Sequence, residues 1–396
     1  MRTKPRMLTA VLLGFFSVGA AALAESPAMR EVVWGNTTFA VDLYHRLAAE
    51  PGNLFVSPYS ISMALGMTYG GARENTAAEM SKTMHFPARQ ELLHSAFKQL
   101  NQGLADTARE TGLKLNIANG LCLTGGDVSA EYKALLRNAY QAELFDGGVD
   151  RINAWVLDRT EGKIDRLIDS LDPNSVCVLL NAIYFKGMWE SQFKKDNTRN
   201  APFTVAPDAE LLVPFMYQKC QLQVIRKKGF QAASIPYVGK KMSMVILLPD
   251  DIAGLPALER QLSAEHLAHW LAELDAAPSR ELRLFLPKYK METSYDLAGQ
   301  LRAMGMVDAF QADRADFTGM GWAKGELWIA QVKHKAFVEV NEQGTEATGA
   351  TAVEMTAKSA ISNLEFRADR PFLFLIRDHQ TGAVLFMGRL ANPAAA

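Results

Sequence analysis

One segment, residues 339–359, constrains the fold more than any other because it suits both an exposed loop and a buried strand. From residue 344 to 352 every side chain except Glu346 is small or short, and none is proline. That composition is typical of a flexible surface loop. Successive side chains of a strand point to opposite faces of a sheet, so the same segment can also become a strand. Its odd-numbered residues would then be buried, namely Thr345, Ala347, Gly349, Thr351, Val353 and Met355.

A basic residue followed by a small one, Lys358 and then Ser359, lies beyond this small-residue stretch. A trypsin-like protease cleaves after such a long cationic side chain, which fits a pocket with an acidic floor. The same residues also fit a glycine-, alanine- and threonine-rich linker that carries one incidental lysine. The segment by itself leaves both interpretations open.

Four further motifs occur with this segment in a fixed order. In the first, residues 53–62 (NLFVSPYSIS), Ser57 can cap a helix and Pro58 can occupy its first turn. The other three are residues 180–190 (LNAIYFKGMWE), 286–289 (LPKY), and 369–378 (DRPFLFLIRD) with 385–389 (LFMGR). Together with the loop segment, these motifs resemble the serpin family over residues 36–393, which is essentially the whole chain.

The resemblance implies a single domain, residues 25–396, of the α+β class with three β-sheets and about nine helices. It also implies an exposed reactive-centre loop, about residues 342–365, tethered beside the central sheet. The implied activity is suicide inhibition of a trypsin-like serine protease. The protease attacks the carbonyl of Lys358 and forms an acyl-enzyme, after which the loop inserts into the central sheet as an extra strand.

The resemblance also assigns roles to two groups of residues beside the reactive bond Lys358–Ser359. The hinge and inserting residues are Glu342, Gly344, Thr345, Ala347, Gly349 and Thr351. The residues of the region where the central sheet opens are Ser57, Ser60, Asn181, His334, Trp189 and Lys288, the last paired with Glu342. From the residues alone, His334 is a core histidine and Trp189 a large core aromatic.

Composition and charge exclude several classes of partner. The chain has 396 residues, 48% hydrophobic and 21% charged, which is ordinary for a globular protein. A formal net charge of -1 provides no overall basic field for nucleic acid or for an acidic membrane. The basic clusters at residues 226–228 and 240–241 are small. We therefore expect no polyanion or other cofactor, no nucleic-acid or membrane partner, and a monomer that holds its target protease in a covalent complex.

The N-terminus predicts an export signal. Three basic residues among the first six precede an apolar run over residues 7–21, and residues 22–24 (ALA) match a signal-peptidase site. The apolar run is short for an uncleaved membrane anchor, which is the competing interpretation. Residues 1–24 are therefore predicted to be a signal peptide, and the protein to be secreted into the extracellular space, or into the periplasm of a bacterium.

Motifs for catalysis and metal binding are missing from the sequence. It contains no G-x-S-x-G, H-E-x-x-H, C-x-x-C, Walker or G-x-G-x-x-G motif. His266 and His269 could share a metal but lack a third ligand. The three cysteines, Cys122, Cys177 and Cys220, are odd in number and form no disulfide framework. Cys122 and Cys177 lie in apolar strand-like runs and are expected to be buried free thiols. We expect neither an enzyme nor a metal site.

Alternatives remain within the family and outside it. A non-inhibitory serpin with a binding or chaperone role would keep the fold, although the hinges of such members commonly carry charged, bulky or proline residues. The scissile bond could be one adjacent to Lys358–Ser359, or Met355–Thr356 for an elastase- or chymotrypsin-like protease. A cysteine protease is a further possible target. An exported hydrolase is the alternative from a different class, and it would turn over a generic ester or peptide steadily.

Hydrophobic periodicity predicts the order of the elements. Helices are expected at residues 36–49, 57–69, 89–104, 130–140, 151–164, 263–274 and 295–304. A capping box formed by Thr76 and Glu79 is expected to open one more helix. Strands are expected at residues 113–123, 176–185, 222–226, 232–237, 242–248, 281–289 and 327–340, followed by a hairpin of residues 372–376 and 384–387.

Overall fold

The computed structural model describes residues 26–123, 125–171, 177–345 and 364–395. Within these ranges the chain forms nine α-helices. They are α1 (Pro27–Leu47), α2 (Pro58–Gly71), α3 (Glu74–Met84), α4 (Gln90–Thr111), α5 (Ala130–Leu135), α6 (Val149–Arg159), α7 (Leu255–Gln261), α8 (Ala264–Ala276) and α9 (Ala298–Ala303).

The same ranges contain fifteen strands. The first eight are β1 (Leu54–Val56), β2 (Lys114–Leu123), β3 (Glu143–Asp146), β4 (Cys177–Met188), β5 (Arg199–Ala206), β6 (Ala209–Lys227), β7 (Phe230–Pro236) and β8 (Met242–Pro249). The others are β9 (Ser279–Pro287), β10 (Tyr289–Asp296), β11 (Val332–Val340), β12 (Gly344–Thr345), β13 (Glu365–Arg367), β14 (Phe372–Asp378) and β15 (Val384–Leu390).

These strands form two hydrogen-bonded sheets. The six-stranded sheet has the order β10-β11-β12-β4-β2-β3, and the nine-stranded sheet the order β1-β15-β14-β8-β7-β6-β9-β13, with β5 also on β6. Strand β6 is 19 residues long and pairs first with β5 and β9 and then with β7. Two of the three predicted sheets are therefore joined end to end through β6 into the one nine-stranded sheet. The predicted α+β class is confirmed.

Helix α2 lies in the core between the two sheets, and all 14 of its residues are buried. It packs against β4 of one sheet and β15 of the other. The helix begins where the sequence predicts, because Ser57 Oγ accepts the Ser60 N–H at 3.2 Å and Pro58 occupies the first turn. This start places Ser57 and Ser60 against the six-stranded sheet.

A smaller core lies on the opposite face of the six-stranded sheet, under helix α6. Ile152 and Val156 of α6 pack there against Val178, Leu180 and Ala182 of β4. Both faces of β4 are therefore covered. Its sequence is accordingly a nearly continuous apolar run, as expected for a strand buried on both sides.

The capping box predicted at Thr76 is wrong. Helix α3 begins at Glu74, so Thr76 lies within its first turn. The hydroxyl of Thr76 instead accepts the Asp316 N–H at 3.0 Å, and the Glu79 carboxylate accepts the Val307 N–H at 2.8 Å. Both side chains satisfy backbone donors of a distant segment, which local sequence does not reveal.

Several predicted boundaries also move. Helix α1 begins at Pro27 rather than residue 36, because Ser26 Oγ accepts the Met29 N–H at 3.1 Å and caps the helix there. The predicted strand over residues 281–289 is two strands, β9 and β10, which belong to different sheets. The predicted short strand at residues 222–226 is the end of the long strand β6.

Two predicted absences concern ions and membranes. Within the described ranges, no helix has the length and apolar character needed to span a bilayer, and no cluster of His, Cys, Asp or Glu could hold a metal ion. Cys122 and Cys220 are free, and burial raises the pKa of their thiols to about 11 and about 12 respectively. The side chain of Cys177 lies outside the described part of the structure.

Candidate functional site

The six-stranded sheet divides between β4 and β11. Residues 179–183 of β4 pair in parallel with residues 332–336 of β11. Farther along, the two-residue strand β12 lies between them, antiparallel to both, with Gly344 and Thr345 opposite Met188 and Gly187 of β4. Thr345 is also opposite Val340 of β11. The first residues of the predicted hinge are therefore part of the sheet in the uncut chain.

The chain turns back tightly from β11 into β12. The Asn341 N–H donates to the Gly344 carbonyl at 2.9 Å. A Cβ atom on Gly344 would collide with the carbonyl oxygen of Gly187 and would lie 2.7 Å from the Met188 Cα. Glycine is needed here because only its missing side chain allows two backbones to approach so closely.

Thr345 fills a small buried site. Its side chain is 1% exposed, and its Oγ1 lies 2.7 Å from the Tyr237 hydroxyl. Burial raises the pKa of Tyr237, so this hydroxyl stays neutral and available for hydrogen bonding. Trp189 stacks on Tyr237 with ring centroids 4.8 Å apart, and its Nε1 donates to the Asn341 carbonyl at 3.0 Å. Trp189, which is predicted to lie where the central sheet opens, therefore contacts the hinge turn directly.

Glu342 anchors the turn from the other side. Its carboxylate, in a residue only 5% exposed, accepts hydrogen bonds from Lys288 Nζ at 3.1 Å and from Thr198 Oγ1 at 2.8 Å. Burial acts to raise the pKa of this carboxyl, but the bonds from Lys288 and Thr198 outweigh it, and the pKa lies below its ordinary value. The predicted contact of Glu342 with Lys288 is present. The contact of Glu342 with Thr198 was not predicted from the sequence.

His334 lies farther down the sheet, opposite Asn181 across the pairing of β11 with β4. Its Nε2 accepts the Ser57 N–H at 3.1 Å. Burial lowers the pKa of the imidazole to about 3, so the ring is neutral and carries its proton on Nδ1. Among the described residues, Nδ1 has no hydrogen-bond partner. The histidine is satisfied on one side only.

A chain of hydrogen bonds extends from this point across β4 to β2. Ser60 Oγ donates to Asn181 Oδ1, and Asn181 Nδ2 donates to Asn119 Oδ1 at 2.9 Å. Asn119 is opposite Asn181 in the β2–β4 register. We call Ser57, Ser60, Asn119, Asn181 and His334 the polar row. Asn119 was missed, although an asparagine in the buried half of an apolar strand was a detectable signal.

The predicted residues therefore form two groups along β11, separated by about 20 Å of strand. One is the hinge cluster, defined as Trp189, Lys288, Glu342, Gly344 and Thr345. The other is the polar row. The remaining predicted residues lie outside the described ranges, so their roles stay predictions: Ala347, Gly349, Thr351, Lys358 and Ser359.

A family model described as Serpin (serine protease inhibitor) matches residues 35–393. The chain belongs to the serpin family. This serpin is 39% identical over 389 residues to leukocyte elastase inhibitor of Homo sapiens, with 92% of this chain and 100% of that relative covered. It is 39% identical over 379 residues to serpin B6 of Macaca fascicularis, with 90% and 98% covered.

A solved structure shows the same fold. Human thyroxine-binding globulin, solved in complex with thyroxine, matches with a TM-score of 0.84 at 28% identity, covering 92% of this chain and 99% of that one. The family model and the named relatives together confirm a protease-inhibitor family rather than an enzyme.

The predicted localisation is wrong. Leukocyte elastase inhibitor and serpin B6, the relatives matched over nearly their whole length, are intracellular serpins without secretion signals. The localisation was inferred from the apolar N-terminal run and its A-x-A site, and such local composition does not by itself report the destination of the chain. The assignment of residues 1–24 as a signal peptide stays a prediction. Residues 1–24 lie outside the described part of the structure.

Proposed function

We propose that this serpin inhibits a serine protease as a suicide substrate. The protease serine oxygen bonds to the carbonyl carbon of Lys358, the bond to the Ser359 nitrogen breaks, and that nitrogen leaves as a protonated amine. The freed loop then enters the six-stranded sheet between β4 and β11. The observation that carries the proposal is β12, because two hinge residues occupy that position in the uncut chain.

Thr345 sets the register of the proposed insertion. Its side chain faces the core, where it contacts Tyr237. Side chains alternate along a strand, so Ala347, Gly349 and Thr351 would face the core next, and Glu346 would face away from it. None of the three core-facing residues is charged or bulky. A non-inhibitory role is less consistent with such a hinge.

The free energy for trapping the protease comes from the new strand. About twelve loop residues that gain sheet hydrogen bonds, at roughly 0.5 to 1.5 kcal/mol net each, contribute on the order of 10 kcal/mol before entropy. This is comparable to the whole stability of a typical protease domain. Displacing a catalytic group by about 1 Å can slow a reaction roughly a hundredfold. Deacylation is then too slow to release the protease.

Two target classes follow from two different bonds. Lys358 suits a trypsin-like protease with an acidic specificity pocket. The relatives named leukocyte elastase inhibitor favour a second candidate, an elastase-like protease that cleaves Met355–Thr356. We place the trypsin-like target first because the cationic side chain is the more specific signal.

The test is to mix the purified protein with excess trypsin and, separately, with elastase, and to look for an SDS-resistant complex. Sequencing the released C-terminal peptide then locates the cut. We expect a complex with trypsin and a peptide that begins at Ser359. A complex with elastase and a peptide that begins at Thr356 would support the second target. Cleavage by both proteases without any complex would contradict the inhibitory mechanism.

A further inference from the structure

The outer face of the nine-stranded sheet carries a pocket of about 340 Å³ that the serpin mechanism described above does not use. We call it the arginine face, defined by Arg199 of β5, Tyr217 of β6, Arg283 and Phe285 of β9, and Arg367 of β13. Tyr217, Arg283, Phe285 and Arg367 alternate along their strands with buried residues, so they point to solvent, and Arg199 is exposed at the start of β5. The buried alternates include Met216, Leu284 and Phe366.

Two of the three arginines are held in place by packing. Tyr217 is paired with Phe285 across the strands, with ring centroids 4.8 Å apart, and Phe285 is paired with Arg367. The Arg367 guanidinium carbon lies 3.6 Å from the centroid of the Phe285 ring, a cation–π contact. Arg367 and Arg283 also share the Glu365 carboxylate, at 2.6 and 3.0 Å. These contacts hold the Arg367 and Arg283 side chains in place before any partner arrives.

The third arginine, Arg199, gives the pocket an excess of positive charge. Arg199 is exposed and donates to the Thr198 carbonyl at 2.8 Å, and it forms no ion pair within the described ranges. The pocket lining thus contains three guanidinium groups, and two of them share one carboxylate, that of Glu365. Guanidinium groups beside aromatic rings favour carboxylates, which they can bind with two parallel hydrogen bonds.

The reactive loop rejoins the fold beside this pocket. The Arg283 N–H donates to the Leu364 carbonyl at 2.9 Å, immediately before β13. Four residues lie between Ser359 and Leu364. The five residue-to-residue steps from Ser359 to Leu364 therefore hold the proposed scissile bond within about 18 Å of this junction. A compact protease domain of about 220 residues has a radius of gyration of about 17 Å. A protease bound at Lys358–Ser359 is therefore large enough to reach the arginine face.

We propose that the arginine face is a docking surface for an acidic patch on the target protease, beside its active-site cleft. This inference rests on the proposed function and adds a second determinant of target choice to Lys358. Opposite charges across an interface raise the association rate and suppress unsuitable partners. Two proteases with the same lysine specificity are then distinguished by their surface charge.

Anionic and cationic trypsin provide the matched probes, since they share a specificity and differ in surface charge. The variants are Arg199→Glu, which changes one exposed side chain, and the double variant Arg199→Glu with Arg367→Glu. The matched control is Arg226→Glu with Lys228→Glu, the same change of charge at and just beyond the far end of β6. The measurement is the second-order rate constant of complex formation at low salt and in about 0.5 M NaCl, where charge effects are screened.

We expect the double variant to slow the reaction with anionic trypsin about tenfold at low salt, and the single variant to slow it less. The difference should shrink in high salt, and neither variant should slow the reaction with cationic trypsin. The control should stay within about twofold of the wild type with both enzymes. Rates for anionic trypsin that do not change in either variant would overturn the docking surface and leave the proposed inhibition intact.

A separate measurement distinguishes failure of the proposed function from failure of the docking surface. If neither trypsin forms an SDS-resistant complex, the proposed inhibition of trypsin-like proteases through Lys358 is wrong. The affinity of each trypsin with its catalytic serine replaced by alanine then tests the surface alone. A preference for the anionic form that Arg199→Glu abolishes supports the docking surface, and equal affinities for the two forms overturn it.

Discussion

Thr345 is the residue at which the proposed insertion tolerates a larger side chain least. Its side chain is enclosed by the sheet, and its hydroxyl contacts Tyr237. The neighbouring Gly344 has no room for a Cβ atom beside Gly187. Any strand that continues from β12 must begin with these two small residues in place.

We predict that Thr345→Arg converts the inhibitor into a substrate. The substitution would bury an unpaired cation, which costs several kcal/mol, so the cut loop would insert too slowly to trap the protease. The measurement is the number of inhibitor molecules cleaved for each complex formed with trypsin, which should rise strongly. Thr345→Val is the matched control, since it keeps the size, and it should still form complex. An unchanged stoichiometry for Thr345→Arg would contradict the insertion mechanism.

His334 makes the stability of the fold depend on pH. Its pKa is about 3 in the folded chain and about 6.5 when unfolded, so the folded state binds the proton more weakly. Its contribution is complete above pH 6.5 and is lost progressively as the pH falls from 6.5 towards 3. At pH 5 the loss is about 2 kcal/mol.

We therefore predict a lower apparent melting temperature at pH 5 than at pH 7, measured at one scan rate. Burial also lowers the pKa of His94, to about 4, so the wild type alone does not isolate His334. The comparison is with His334→Gln, which retains an acceptor for the Ser57 N–H and should lose part of the pH dependence. An equal pH dependence in the two proteins would assign the effect to other groups.

At the scale of elements, the turn between β11 and β12 is held at one place by a buried carboxylate. Glu342 bonds both Lys288 and Thr198, and the backbone carbonyl of Glu342 accepts the Phe193 N–H at 2.8 Å. The turn therefore connects β11 to the start of β5 and to the end of β9. Loss of the carboxylate would loosen the edge at which the loop enters the sheet.

We predict that Glu342→Gln destabilises this edge by about 1 to 2 kcal/mol, because charge-assisted hydrogen bonds to a buried group are lost. A synthetic peptide with the sequence of residues 345–357 should then bind the Glu342→Gln variant faster than it binds the wild type. The binding rate is measured with a fluorescent label on the peptide. Lys333→Gln is the control, because it removes a more exposed ion pair between Lys333 of β11 and Asp296 of β10. Equal binding rates in all three proteins would contradict this role for Glu342.

At the scale of the whole molecule, the proposed mechanism requires a native state that is held kinetically. The six-stranded sheet already accepts two residues of the hinge and would accept about ten more after cleavage. A sheet that gains a strand between β4 and β11 is more stable than the sheet without it. Cleavage should therefore stabilise the protein rather than weaken it.

We predict that cleavage at Lys358 raises the apparent melting temperature by on the order of 20 °C, which corresponds to about 10 kcal/mol. Calorimetry of the intact and cleaved proteins at one scan rate checks this. The cleaved Thr345→Arg variant, in which insertion is obstructed, should gain much less. A cleaved wild type that melts at or below the temperature of the intact chain would rule out loop insertion.

Much of the fold was predictable from local chemistry. The start of α2 follows from the Ser57 cap and Pro58, and β4 and the β14–β15 hairpin follow from apolar runs and turn residues. The boundaries that failed depended on distant partners. Thr76 matches a helix cap in sequence, but it satisfies the backbone of Asp316 instead. The single strand expected at residues 281–289 divides because the two halves pair with different neighbours.

The sequence by itself determined the family, the small alternating residues of the hinge and most residues of the hinge cluster and polar row, since these are properties of short stretches. Only the tertiary structure decided which of them touch. Ser57 and His334 are 277 residues apart, and Tyr237 and Thr345 are 108 apart. Such contacts, like the collection of Arg199, Arg283 and Arg367 on one sheet face, arise from strand pairing between distant segments. Local propensity and periodicity carry no record of that pairing.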